Sequence, residues 1–474
     1  MSTELHYMSA VDLLKAFGEK SISPLEALEA VQVRAAEVEP GINALIERDW
    51  EDHTIRARAS TERYAAGAPL GPLDGLPVVV KEEHPMAGRE QSSGSMVVRD
   101  TAAETHPVPE RMINAGAIVH ARTTTPEFAC ATTCFSDKWG VTRNPWNRDY
   151  TPGGSSGGSA AALASGTAYL ASASDMGGSI RVPASFSGVI GFKAPYGRVP
   201  SMPPYGLSTY CHEGPMARTV EDVVLFQNVI QGQHHKDPIS LPSTAVPADL
   251  GDVRGLKVAY ALTLGDYVVE PEIAANTQRF ADVLADAGAD VTEVTVPVVA
   301  KMVFETLLAH FDRNLTEYVD TACRDDGDYE RLMPYTRHIV ELCREAGSRI
   351  SPLQGITREA EIQAAVLQVF ESHDALICPT VGAYGYLADD SYLDGIETNG
   401  HRFHHYLETA LTPVFNIASR HPVLNVPSGL APNGVPTGVQ VVARPYDDVT
   451  AFRVGAAAER ALGIWMNPEW RPNI

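Results

Sequence analysis

The stretch DYTPGGSSGGSAAALASG, residues 149–166, constrains this chain more than any other. Glycine pairs on both sides of a serine pair mark a backbone that must turn tightly where Cβ atoms would crowd it. An alanine-rich run follows at once. The stretch is too short for a linker and lies between regular elements, so its simplest reading is a tight turn leading into a helix. A phosphate cradle of the GxxxxGK[ST] type is excluded, because no lysine occurs between Lys138 and Lys193. GxGxxG is absent as well. Gly153-Gly154-Ser155-Ser156-Gly157 does match G-x-S-x-G, which would make Ser155 a nucleophile needing a later Asp and His. With 15 histidines in the chain, some partner is always available.

The flanking sequence reads as α/β. Residues 1–70 are predicted helical: Ser23-Pro24-Leu25-Glu26 has an N-cap, a first-turn proline and a capping-box glutamate, and Leu28, Val31, Ala35 and Val38 follow at helical spacing. GPLDGLPVVVKEE puts a turn before a buried strand ending at Lys81. In PERMINAGAIVHAR, Gly116 ends a helix and a strand follows. TAYLASAS is predicted as a strand ending before Asp175. GLKVAYAL, PEIAANTQRFADVLADAG and DVTEVTV alternate strand, helix, strand, and DALICPT returns to strand. Residues 298–372 are predicted as a helical cap. No linker divides the chain, so residues 1–474 are predicted to form one domain.

A second glycine pair precedes a serine in SDMGGSIRVPASFSGVIGFKAP, and Lys81 stands upstream of both motifs. With PLDGLPVVVK, NPWNRDYTPGGSSGGSAAALASG, GPMARTVEDV and NVPSGLAPNGVPTGVQVVA, these segments resemble the amidase signature family from about residue 9 to 460. The resemblance implies an α/β/α sandwich around a large twisted mixed sheet. It implies a serine amidase without metal or cofactor. The nucleophile falls on Ser179, a serine in a cis peptide on Ser155, and the lysine on Lys81. The backbone N–H groups of Met176, Gly177, Gly178 and Ser179 fall on the oxyanion hole. Ser156, Asp175 and Arg181 fall on supporting positions. The residue chemistry agrees: a serine hydroxyl needs a base beside it, and a lysine serves only when neutral, which burial favours.

Several features depart from the family or stand outside the motifs. Lys81 is followed by Glu82-Glu83-His84, and carboxylates beside a lysine oppose its use as a base. Strand alternation would turn them away. Ser419-Arg420-His421 reads as a surface turn, and Ala194 before Pro195 as a local insertion. His401, His404, His405 and the pair His234-His235 lack metal-ligand spacing. Tyr196, Tyr205, Tyr210, Tyr384 and Tyr386 are candidates for lining an acyl or amine pocket. A formal net charge of −22 disfavours nucleic acid. No apolar run is long enough to span a membrane. Six scattered cysteines and no signal-peptide pattern predict reduced thiols and a cytoplasmic location. The expected partner is a small-molecule or peptide-like amide, with homodimer formation left open. Three alternatives stand beside this reading: a glutaminase component resembling that of tRNA-dependent amidotransferases, which would act with partner subunits, an α/β-hydrolase-type esterase using Ser155, and a non-catalytic binding protein.

Overall fold

The computed structural model describes residues 4–465 and 467–474. Its centre is a sheet of eleven strands. In chain order these are β1 (Leu45–Ile46), β2 (Pro77–Lys81), β3 (Ile118–Thr123), β4 (Leu170–Asp175), β5 (Ile190–Lys193), β6 (His212–Ala217), β7 (Lys257–Tyr260), β8 (Asp290–Glu293), β9 (Ala375–Pro379), β10 (Val423–Leu430) and β11 (Pro436–Ala443). Across the sheet they lie β1-β3-β2-β4-β6-β5-β10-β11-β9-β7-β8. β3, β2 and β4 run parallel, as do β9, β7 and β8, and the strands between them pair antiparallel. The sheet is therefore mixed, as expected of the α/β class.

Helices cover both faces, which is why the central strands are buried almost without a break. In β2, Val78 and Val80 pack with Leu28 and Val31 of α2 (Pro24–Ile42), while Val79 packs on the opposite face with Ala160 to Ala164. All three valines are fully buried, each worth roughly 1.5–3 kcal/mol. Alternation then sends Lys81 to the face of Val79. That face carries the helix of the opening stretch.

The N-terminal helices are α1 (Ala10–Glu19), α2 and α3 (Trp50–Ala65), and the predicted capping box of Ser23 and Glu26 is formed. Next come α4 (Pro107–Asn114), α5 (Gly157–Ser165) and α6 (Arg181–Ser187). Every residue of α5 is buried. A Cβ on Gly158 would lie 2.5 Å from the backbone nitrogen of Thr124, so a side chain there would push the helix off β3. The glycines of the opening stretch thus let a helix sit directly on the sheet. β4 runs one residue further than expected, through Asp175, because Asp175 pairs with His212 of β6. Within 298–372 the chain forms helices Ala300–Phe311, Glu317–Ala322, Pro334–Arg349 and Pro352–Val369. No helix among the described residues is long and apolar enough to cross a membrane.

Candidate active site

Lys81 ends β2 and is fully buried. Its Nζ lies 2.8 Å from Ser155 Oγ and 2.8 Å from Ser174 Oγ. Ser155 begins the turn into α5, and the Gly154–Ser155 peptide is cis. Ser174 lies near the end of β4, the parallel neighbour of β2. Ser172 Oγ, two residues earlier on β4, accepts from the Lys81 backbone N–H at 3.0 Å.

Ser155 and Ser179 both open onto a cavity of about 490 Å³. Ser179 Oγ has no hydrogen-bond partner among the described residues. Such looseness is common before substrate binds. The Ser179 backbone carbonyl accepts from the Ser156 N–H at 3.3 Å, and Ser156 Oγ donates to Ser174 O at 3.4 Å. Ser156 therefore fastens the first glycine-serine turn to the second.

Asp175 and Arg181 organise the loop between them. Asp175 is fully buried and accepts from the Gly178 N–H (2.8 Å), the Ile180 N–H (3.2 Å) and Asn416 Nδ2 (2.8 Å). Arg181 grips the same carboxylate through Nε at 2.9 Å and Nη2 at 2.8 Å. Its remaining N–H groups go to Thr412 O, Gln440 Oε1 and Asn416 Oδ1 at 2.7–2.8 Å. Burial pushes the Asp175 carboxyl upward, but the guanidinium outweighs it and holds the group well below the usual carboxylate range. Gly178 has φ +132°, and a Cβ there would collide with Thr412 Oγ1.

One sequence expectation is corrected by this loop. The N–H of Gly178 points at Asp175, so Gly178 shapes the loop and is not a free oxyanion donor. The N–H groups of Gly177 and Ser179 have no protein acceptor among the described residues. Met176 and Gly177 line the cavity with Ser179.

The two glutamates after Lys81 behave differently. Glu82 turns away, as alternation predicts, and accepts from the Ser92 N–H at 2.9 Å and Ser92 Oγ at 2.8 Å. Glu83 does not turn away. β2 ends at Lys81, and a turn closed by His84 N–H to Lys81 O (3.0 Å) brings Glu83 back. Its Oε2 lies 2.5 Å from Lys81 Nζ and accepts from Ser174 Oγ at 2.6 Å. Burial pushes the Glu83 carboxyl up, but Lys81 and Ser174 outweigh burial and hold it below its ordinary value.

Of the five tyrosines expected at a pocket, only Tyr205 lines this cavity. Tyr210 stacks on His310 at 3.7 Å, Tyr386 is buried and bonded to Thr409, Tyr196 bonds Gly206 O, and Tyr384 Oη accepts from the Glu272 N–H. The aromatic and aliphatic wall comes instead from Phe128, Phe311, Leu315, Tyr318 and Leu407. Of the expected surface turn Ser419-Arg420-His421, Arg420 is exposed, but Ser419 and His421 are buried, His421 Nδ1 bonding Ala443 O at 2.7 Å.

Sequence spacing missed a polar wall of the same cavity. His84, His106 and Glu213 present donor atoms within 4.8 Å of one another, the one grouping of this kind among the described residues. The hydrogen bonds do not suit a metal. His106 Nδ1 accepts from the Val108 N–H at 3.2 Å as the N-cap of α4, so the neutral ring carries its proton on Nε2. That Nε2 faces Glu213 Oε1 at 3.6 Å, and His84 Nε2 lies 2.7 Å from Glu213 Oε2. Burial pushes the Glu213 carboxyl up, yet the two histidines hold it below the carboxylate range. The cluster is a carboxylate held by two imidazoles and by Ser201 Oγ at 2.8 Å.

Comparison with known proteins agrees with this architecture. A family model described as Amidase matches residues 26–452. The chain is 32% identical over 490 residues to the A component of the glutamyl-tRNA(Gln) amidotransferase of Chloroflexus aggregans, covering 97% of each. It is 28% identical to an acylamidase of Rhodococcus erythropolis, covering 97% of this chain and 96% of that one. A bacterial aryl acylamidase of the amidase signature family superposes with a TM-score of 0.89 at 26% identity, covering 99% of this chain and 100% of the other.

Proposed function

The chain belongs to the amidase family, and we propose that it hydrolyses carboxamides with Ser179 as nucleophile, Ser155 as proton relay and Lys81 as base. The observation that carries this reading is the 2.8 Å contact of Lys81 Nζ with Ser155 Oγ, on the wall of a cavity onto which Ser179 also opens. The neutral Lys81 amine takes the Ser155 proton as Ser155 takes that of Ser179. Ser179 Oγ attacks the amide carbon. The oxyanion rests on the free N–H groups of Gly177 and Ser179, with Met176 beside them. The same path runs backward to protonate the leaving amine. Water, deprotonated by the same relay, then cleaves the acyl-enzyme.

The Ser155-nucleophile reading has less support. Ser155 is bonded to a lysine, and no histidine contacts it among the described residues. The glutaminase reading draws support from the 32% identical relative. Against it stands the cavity wall, which carries Glu83, Glu104, Asp175 and Glu213 but neither Lys nor Arg. The α-carboxylate of glutamine would enter that wall with no cation to meet it. An amide whose acyl part is neutral and largely apolar fits better. The six cysteines are all unpaired, which fits a reducing, cytoplasmic setting.

A serine-directed phosphonate tests the assignment. It should label the protein once, on the peptide containing Ser179, and Ser179→Ala should abolish labelling. Ser155→Ala should slow it strongly yet leave some. A label on Ser155 would refute the proposal. Turnover of glutamine above that of a neutral amide would favour the amidotransferase-type glutaminase.

A further inference from the structure

The contact between Lys81 and Glu83 has a chemical meaning of its own. Lys81 Nζ has three neighbours: Ser155 Oγ at 2.8 Å, Ser174 Oγ at 2.8 Å and Glu83 Oε2 at 2.5 Å. Ser174 spends its own proton on Glu83, so toward Lys81 it is an acceptor. The carboxylate is an acceptor only. The Ser155 hydroxyl can accept from an ammonium or donate to a neutral amine, so what favours the ammonium is the carboxylate 2.5 Å from the nitrogen.

We propose that Glu83 is a positioning residue that holds Lys81 as the ammonium in the resting enzyme and so sets the pH above which the enzyme turns over. This rests on the reading of Lys81 as base. For turnover, one Lys81 proton passes to solvent water, leaving the amine lone pair toward Ser155. Glu83 stays a carboxylate and keeps its bond from Ser174. The next proton onto Lys81 is then the one from Ser155.

The other groups around the pair do not compete for this role. Glu213 faces Glu83 but is committed to His84, His106 and Ser201. Glu82 turns to Ser92 and Arg122, and Asp175 to Arg181. Cys134 and Cys211 face Lys81, and Tyr205 and Tyr318 face Glu83. Burial pushes all four of these upward, so they are neutral near pH 7. Glu83 is thus the carboxylate that decides the charge of Lys81.

The test is the acid limb of kcat/KM against pH for one neutral amide. Glu83→Gln keeps the shape and the bond from Ser174 but removes the charge. Its limb should move to lower pH by about 1–3 units, the usual effect of one adjacent opposite charge. Glu83→Asp keeps the charge, so its limb should lie above that of Glu83→Gln, and this comparison stands if the glutamine variant folds poorly. A Glu83→Gln limb that stays in place or moves to higher pH overturns the proposal, as does a Glu83→Asp limb at or below that of Glu83→Gln. Lys81→Ala separates the two layers. If it keeps both activity and limb, the base assignment fails whatever Glu83 does. If it loses at least the ~10²-fold typical of a general base, only the Glu83 variants decide.

Discussion

Replacing Arg181 by methionine should expose how much of the site depends on one buried ion pair. Methionine fills much of the arginine volume but removes all five N–H donors. Asp175 keeps its bonds from Gly178, Ile180 and Asn416, while Thr412 O, Gln440 Oε1 and Asn416 Oδ1 lose their donor. Removing one member of a buried pair typically costs about 3–5 kcal/mol, because the other charge stays in the interior. The sign with pH follows from Asp175. In the native protein its pKa lies below the unfolded value. Its stabilisation is therefore present above the unfolded pKa, near 4, and lost as pH falls through the lower folded value. In the variant, burial is no longer outweighed and the carboxyl titrates higher. The defect should be full at pH 8 and shrink toward pH 5. Urea unfolding at the two pH values reads this directly. An Asp175→Asn, Arg181→Met double variant should recover part of the loss at pH 8. A loss below about 1 kcal/mol, or one equal at both pH values, would refute the reasoning.

Two further outcomes follow from local geometry. Gly178→Ala meets both the φ of +132° and Thr412 Oγ1, so it should lower kcat by about 10²-fold and lower the melting temperature. Gly177→Ala, with no atom nearer than 3.7 Å to its new Cβ, should melt like the parent; equal melting of the two variants would contradict the geometry. Glu39 is buried with Oε1 unpartnered, and burial raises its pKa to about 7. A raised carboxyl stabilises fully below its unfolded value of ~4.3, and this is lost as pH rises toward 7. Glu39→Gln should flatten the fall in stability between pH 5 and 7. An unchanged slope in urea titrations would show that Glu39 is charged in the fold.

What the sequence showed and what it hid divide along physical lines. The capping box at Ser23, the valine strand ending at Lys81 and the turn before α5 are local, and neighbouring residues specify them. The two glycine-serine motifs, being specific, also marked where the cavity would form. The partners of those motifs were not legible. Ser174 reaches Lys81 only because β4 lies beside β2, and strand order is not written in either strand. His84, His106 and Glu213 lie too far apart for any spacing rule, and His106 reads locally as an N-cap. Alternation places Glu82 on the opposite face correctly, but it puts Glu83, two residues on, back on the face of Lys81, so the expectation that both carboxylates turn away holds only for the first. The amide of Gly178 looked free in the sequence because nothing there shows Asp175 folding back on its own loop. Residue type alone singles out the tyrosines at 196, 210, 384 and 386, whereas the apolar wall comes from Phe128, Phe311, Leu315, Tyr318 and Leu407, segments that only the tertiary fold brings together.

The reach of Arg181 has a consequence for the order in which the protein is made. Lys81, Ser155 and Ser179 all lie in the first 180 residues, on or beside strands that pair with one another. The groups that hold the loop between β4 and α6 rigid come from residues 412, 416 and 440. A growing chain therefore carries Ser155 and Ser179 long before the residues that anchor the loop between β4 and α6. That loop gains its contact with Gln440 only when β11, the last strand of the sheet in chain order, takes its place.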